Sequence, residues 1–263
     1  MNPTKETYWI YNGKAQLFPK EGLEKYYPDR YAYEVIRLIA GKPLFLPDHY
    51  KRLLHTCAHT CKKALASLQI IKAEIAELAQ ISQLSDINIK IIISETSRAV
   101  FAIPSTYPKE KDYINGVSCN FLHEERPNPA LKVFHAELKK KVDKNKREAG
   151  VFESLLVNKQ GLITEGSKSN IFFIKEQRLF TAPDSLVLAG ITRQKIIDIC
   201  KNLNFPLKLQ AIDYKNIANY HAAFLCGTSP GVLPIHKIED ISFQVNNHIL
   251  QKVHQAYHQL MLL

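Results

Sequence analysis

Residues 152–175, FESLLVNKQGLITEGSKSNIFFIK, constrain the fold more than any other stretch of the chain. Two largely apolar runs, Phe152 to Val157 and Asn170 to Ile174, flank a polar, glycine-punctuated connection. Short apolar runs bounded by Lys159-Gln160-Gly161 and Glu165-Gly166-Ser167 read as strands joined by tight turns. Glu165 is then set between buried strands, where a carboxylate is costly to desolvate unless a cation or a protonated group meets it. A solvated turn glutamate is the simpler reading of an isolated Glu-Gly pair, so the remaining residues have to decide.

The chain before this stretch alternates strand and helix patterns. TYWIYNGKAQLF reads as a hairpin turning at Asn12-Gly13. YAYEVIRLIAGKPLFLPDHYKRLL reads as two strands turning at Gly41-Lys42, then a helix starting near Asp48 as N-cap. Tyr50, Leu53, Leu54, Cys57, Cys61 and Leu65 keep helical spacing and mark that helix's buried face. Leu68 to Ile81 is a second amphipathic helix, and INIKIIISE with RAVFAIP forms a strand pair whose first member suits a sheet interior. STYPKEKDYING, with its turn-formers and charges, is the best domain boundary.

Beyond it come a strand (GVSCNFL), an irregular segment (HEERPNPALK) and a helix ended by Gly150. After the central strands, LAGITRQKIIDICKNLN is a helix packed through Ile191, Ile196, Ile197 and Cys200. Three further strands with a short helix between the first two, and a closing amphipathic helix, complete the chain. The pattern predicts an α+β fold of two lobes, a small N-terminal one over residues 1–115 and a larger C-terminal one over 116–263.

Charge and cysteines bound the function. The 263 residues carry a formal net charge of +10, which can signal a nucleic-acid partner. Much of it lies in LKKKVDKNKR, whose helical spacing suits a solvated face, and no nucleic-acid motif accompanies it. Anionic small molecules account for the charge equally well. No run approaches the ~18 apolar residues of a membrane span, and MNPTKETYWIY lacks a signal peptide's apolar core. Five scattered cysteines fit reduced thiols, so a cytoplasmic protein without membrane contact is expected. HTCAHTC invites a metal reading through His55/His59 and Cys57/Cys61. Its two pairs point to different faces, however, and no metal is expected.

The run TEGSKSNIFFI resembles the cofactor-binding segment of the class IV, pyridoxal-phosphate-dependent aminotransferases, the family of branched-chain and D-amino-acid aminotransferases and aminodeoxychorismate lyases. The resemblance extends over about residues 8–240 and is strongest from Lys132 to Pro234. It implies a two-lobed fold, a homodimer, pyridoxal phosphate as cofactor, and amino acids and 2-oxo acids as substrates. Glu165 matches the acid placed against the cofactor's pyridine nitrogen. Lys132, 33 residues earlier at a strand end ahead of a helix, matches the lysine that holds the cofactor covalently. Ile191 and Thr192 match the backbone phosphate ligands at a helix start, with Leu188 just before them. Thr228, in CGTSPG, matches a second phosphate loop. Arg52 matches the phosphate-binding arginine of an H-x-x-R-L signature, with His49 matching its histidine.

On the substrate side Tyr33 matches an active-site tyrosine, and Arg37 lies on the same strand face. Arg98, in SETSRAVF, is the candidate substrate-carboxylate trap. The family's FGDG-like sequence is replaced here by YYPDRYAYE. Aminotransferase activity is the expected function. Aminodeoxychorismate lyase is the alternative, and a basic, non-catalytic binding protein on the same scaffold is a more distant one. Lyase members of the family use a threonine hydroxyl on the strand that carries AYEVIR here.

Overall fold

The computed structural model of the chain describes residues 7–19, 23, 26–27, 31–60, 66–105 and 107–262. They form two compact units, Met1–Thr106 with Leu131–Ala136, and Tyr107–Ala130 with Glu137–Leu263. The division thus follows Thr106, whereas the sequence places it after residue 115. The intervening Glu110–Asn115 is a short helix of the second unit.

The first unit is built on a six-stranded sheet. Its elements are β1 (Tyr8–Tyr11), β2 (Lys14–Leu17), β3 (Ala32–Ile39), β4 (Lys42–Pro43), α1 (Leu46–Thr60), α2 (Leu68–Ile81), β5 (Asn88–Ile93) and β6 (Arg98–Ile103), in the sheet order β2-β1-β6-β5-β3-β4. The expected Asn12-Gly13 hairpin and the bounds of α2 are as read from the sequence. The β3–β4 turn falls one residue early, at Ala40-Gly41, both with positive φ. The first helix starts at Leu46, so Asp48 lies in its first turn, where a carboxylate favours the helix dipole.

Alternation along β5 separates two layers. Ile89, Ile91 and Ile93 enter an aliphatic core with Leu46, Leu53 and Cys57 of α1 and Ile71, Ile75 and Leu78 of α2. Ile92 faces the other way, into a layer built on Trp9, Tyr27, Ala99 and Phe101 with Tyr31 and Tyr33 against it. The expected buried face of α1 needs correction at Leu54, which is exposed, while His49 and Thr56 are buried instead. Cys61 and Leu65 lie outside the described residues.

The second unit contains α3 (Glu110–Asn115), β7 (Val117–Leu122), α4 (Ala136–Ala149), β8 (Glu153–Val157), β9 (Leu162–Gly166), β10 (Asn170–Lys175), β11 (Arg178–Thr181), α5 (Ile191–Asn202), β12 (Leu207–Leu209), β13 (Ile212–Asp213), a 3-10 turn (Tyr214–Asn219), β14 (Ala222–Gly227), β15 (Gly231–Ile238), β16 (Ile241–Ser242) and α6 (His248–Met261). Ten strands form one sheet in the order β12-β11-β10-β14-β15-β7-β8-β9-β13, with β16 pairing β15. The pairs β15–β7, β7–β8 and β11–β12 are parallel. Lysines of α4 pair along an exposed face, Lys140 with Glu137 and Lys144 with Glu148.

Glu165 lies within β9, one residue before its end at Gly166, and does not belong to the following turn. That turn is organised by a second buried carboxylate, Glu153. Its Oε1 accepts from the Ser167 hydroxyl at 2.6 Å, and its Oε2 from the Lys168 N–H and the Ser169 hydroxyl at 3.2 and 3.1 Å. The local sequence SKS thereby satisfies a charge that burial alone would make costly.

Candidate active site

Lys132 lies in the first unit, on a short extended segment beside the start of β3. Val133 bridges Ala32, the Tyr33 N–H donates to the Lys132 carbonyl at 3.1 Å, and the Phe134 N–H donates to Tyr31 at 3.0 Å. The Lys132 N–H in turn donates to the Thr56 hydroxyl at 3.3 Å, which donates to the Arg52 carbonyl at 3.0 Å. This lysine is therefore held by backbone bonds to a strand on one side and to α1 on the other. Its Nζ lies 4.8 Å from the centroid of the Tyr33 ring, within cation–π range.

Arg52 points toward β3. Its Nε and Nη2 donate to Glu34 Oε1 and Oε2, both at 2.7 Å, and His49 Nδ1 is 2.8 Å from Oε2. Glu34 is fully buried. Burial raises its carboxyl, but the charge and hydrogen bonds of Arg52, with those of His49, outweigh that and hold it well below the usual carboxylate range. Burial likewise lowers His49, partly offset by Glu34.

The two candidates for substrate recognition on β3 share a face, because Tyr33 and Arg37 alternate with the buried Glu34, Ile36 and Leu38. Arg98 does not join them. It is in register with Ile93, which pairs with Ala32, so it points to the helix side of the sheet. There its Nε and Nη2 donate to both oxygens of Glu74 on α2, at 3.0 and 2.5 Å. The fork a carboxylate trap would need is thus in contact with the protein's own carboxylate. A further cation on the Tyr33 side is Lys90, which sequence reading passed over inside an isoleucine run. Its Nζ donates to the Tyr31 hydroxyl at 3.2 Å and lies 5.1 Å from both the Tyr31 and Tyr33 ring centroids.

In the second unit Glu165 is buried, 2% exposed. Arg126 Nε donates to its Oε1 at 2.6 Å, and the Leu188 N–H donates to its Oε2 at 3.2 Å. Arg126 also reaches the Ser167 carbonyl at 2.9 Å, so one guanidinium fixes both the acid and the turn after it. Leu188 is fixed from its other side, where its carbonyl accepts from Asn170 Nδ2 at 3.0 Å. Two residues on, Gly190 caps α5, and a Cβ there would overlap Asn170 Oδ1. Only glycine lets the loop close this tightly over the start of β10.

Ile191 and Thr192 occupy the first turn of α5, where backbone N–H groups have no intrahelical acceptor. Thr192 is buried, and its hydroxyl is 3.2 Å from that of Tyr257 on α6. The adjoining Arg193 is turned inward, to the Asp184 carboxylate at 2.6 Å and the Ala182 carbonyl at 2.8 Å. Thr228 lies in the turn between β14 and β15. Lys132, Arg52, Tyr33, Arg37 and Arg98 thus belong to the first unit, and Glu165, Leu188, Ile191, Thr192 and Thr228 to the second.

Other reactive groups stand apart. Burial pushes the Cys200 and Cys226 thiols up to about 12, which disfavours a thiolate. Among the described residues no group of three His, Cys, Asp or Glu is placed to hold a metal ion. None of the described helices is long and apolar enough to cross a membrane.

The fold is one that aminotransferases and lyases share. A putative branched-chain amino acid aminotransferase from Thermotoga maritima superimposes with a TM-score of 0.85 at 21% identity, covering 97% of this chain and 96% of that one. A putative 4-amino-4-deoxychorismate lyase from Legionella pneumophila superimposes with a TM-score of 0.81 at 20% identity, covering 92% and 96%. By sequence, the D-alanine aminotransferase of Bacillus licheniformis is 26% identical over 223 residues, 79% of this chain and 78% of its own length. The family model Amino-transferase class IV matches residues 31–238. The chain belongs to that family.

Proposed function

We propose that this protein is a pyridoxal-phosphate-dependent aminotransferase that moves an amino group from an amino acid to a 2-oxo acid. One observation carries the reading beyond family membership. Through the Leu188 backbone, the second unit joins the buried Glu165 carboxylate to the loop that opens α5. An acid for a ring nitrogen and a helix start for a phosphate are thereby built into one rigid piece. Buried carboxylate, first-turn amides and the Thr192 and Thr228 hydroxyls fit the donors and acceptors that pyridoxal phosphate requires.

When bound, the cofactor supplies an electron sink for bond cleavage at the substrate's α-carbon. In this reading Lys132 Nζ would hold it and would move the substrate's α-proton. Glu165, oriented by Arg126 and Leu188, keeps a proton on the ring nitrogen. The amides of Ile191 and Thr192, the Thr228 hydroxyl and Arg52 hold the phosphate. Tyr33, Arg37 and Lys90 orient the substrate carboxylate, and Arg98 has no part in it. A cytoplasmic homodimer completes the proposal. The buried thiols of Cys57, Cys119, Cys200 and Cys226, none of them in a disulfide, suit a reducing compartment.

Borohydride reduction followed by peptide mapping tests the assignment. Wild type should carry the cofactor on Lys132, and Lys132→Ala should carry none. A colourless protein that takes up no pyridoxal phosphate, or an adduct on another lysine, overturns it.

A further inference from the structure

We propose that Tyr257, on the last helix, is a positioning residue of the phosphate site: its hydroxyl orients the Thr192 hydroxyl toward the anion. The inference deepens the function proposed above and rests on it.

Tyr257 is 2% exposed, and its hydroxyl lies 3.2 Å from Thr192 Oγ1 in a buried setting. Each hydroxyl has one proton to give. A phosphate oxygen only accepts, so Thr192 must spend its proton there and can meet Tyr257 only as acceptor. Tyr257 is then the donor, and its bond polarises the Thr192 hydroxyl in the direction of the anion.

The same side chain also lies beside the end of the second anion loop. A Cβ at Gly231, which closes the Thr228 turn, would stand 3.4 Å from Tyr257 Cε1. One helical turn earlier, His254 Nδ1 is 3.0 Å from the Val232 carbonyl. Tyr113 packs edge-on against the His254 ring and donates to the Pro230 carbonyl at 2.9 Å. The last helix therefore braces both α5 and the β14–β15 turn from behind. In sequence Tyr257 reads only as one more residue of an apolar helical stripe. What sets it apart is a buried hydroxyl that needs a partner.

The test compares pyridoxal phosphate with pyridoxal, which lacks the phosphate, by titrating the apoprotein. Tyr257→Phe should weaken pyridoxal phosphate about two- to tenfold and shift pyridoxal by less than about twofold. In a Thr192→Val background, which itself loses phosphate-selective affinity, Tyr257→Phe should add nothing. Equal weakening of both ligands, no weakening, or additivity in the double variant overturns the proposal. A wild type that binds neither aldehyde ends the cofactor reading. Inorganic phosphate then decides the present one, which stands only if wild type binds it more tightly than Tyr257→Phe.

Discussion

Arg52 meets Glu34 at two points, Nε to Oε1 and Nη2 to Oε2, each at 2.7 Å, and His49 adds a third contact to the same carboxylate at 2.8 Å. The arginine that the family pattern assigns to phosphate is thus anchored by a fully buried acid on the neighbouring strand. Anchoring of this kind fixes the guanidinium before any ligand arrives, which lowers the entropy lost on binding.

The first prediction follows from that acid. The Glu34 value in the folded protein lies below its ordinary 4.5. Its contribution is therefore complete above pH 4.5 and is lost as the pH falls through the folded value. His49 is also lowered from 6.5, so the unfolded chain takes up that proton first and stability declines below about pH 6.5 as well. Glu34→Gln should cost about 3–5 kcal/mol at neutral pH, because it leaves a largely buried guanidinium without its counter-charge. It should also flatten the acid limb below pH 4.5. Urea midpoints across the acid range check both, and an unchanged midpoint at neutral pH would contradict the pairing.

The second prediction concerns Arg126 and Glu165. Arg126→Met removes a charge-assisted bond worth about 1.5–3 kcal/mol. It should lower kcat at least about tenfold and move the absorbance of the bound cofactor, whose ring nitrogen Glu165 would serve in the proposed function. Normal kcat with an unchanged spectrum would separate Arg126 from the acid's role.

A third prediction distinguishes two cations on opposite faces of one sheet. Lys90→Met should raise KM for the amino donor about tenfold, from loss of a charged hydrogen bond. Arg98→Met should leave KM unchanged and lower the thermal midpoint, since it strands Glu74. A KM effect confined to Arg98 would reverse the two roles.

What was legible depended on whether partners lie near in sequence. The Asn12-Gly13 hairpin, α2 and the strand identity of INIKIII follow from local turn chemistry and periodicity. The buried face of β3 does not, because alternation gives either side one charged residue, Glu34 or Arg37, among apolar ones. Only Arg52 and His49, arriving from α1, decide that Glu34 goes inward. Arg126 sits in an irregular segment with no period to read, 39 residues from its partner. Asp48 looked like a cap by residue type, but α1 begins two residues earlier, after Phe45 with its positive φ.

The last prediction separates transamination from lysis, which the shared fold does not. By resemblance, lyase members place a threonine hydroxyl on the strand equivalent to β3. Ala32–Ile39 here reads AYEVIRLI and contains neither threonine nor serine. Its Glu34 is committed to Arg52 and His49, so it is not available to move protons for an elimination. The residue that faces the Lys132 ammonium is the aromatic Tyr33, with the Lys90 ammonium beside the same ring. A cation-lined aromatic face suits retention of a substrate carboxylate through an exchange of amino groups. Common L- and D-amino acids should therefore convert the bound cofactor to its pyridoxamine form in a single turnover, followed by absorbance. Aminodeoxychorismate should release 4-aminobenzoate far more slowly, and introducing threonine by Tyr33→Thr should not raise that rate to match. Rapid release of 4-aminobenzoate by wild type, with no pyridoxamine formed from any amino acid, would assign the chain to the lyases.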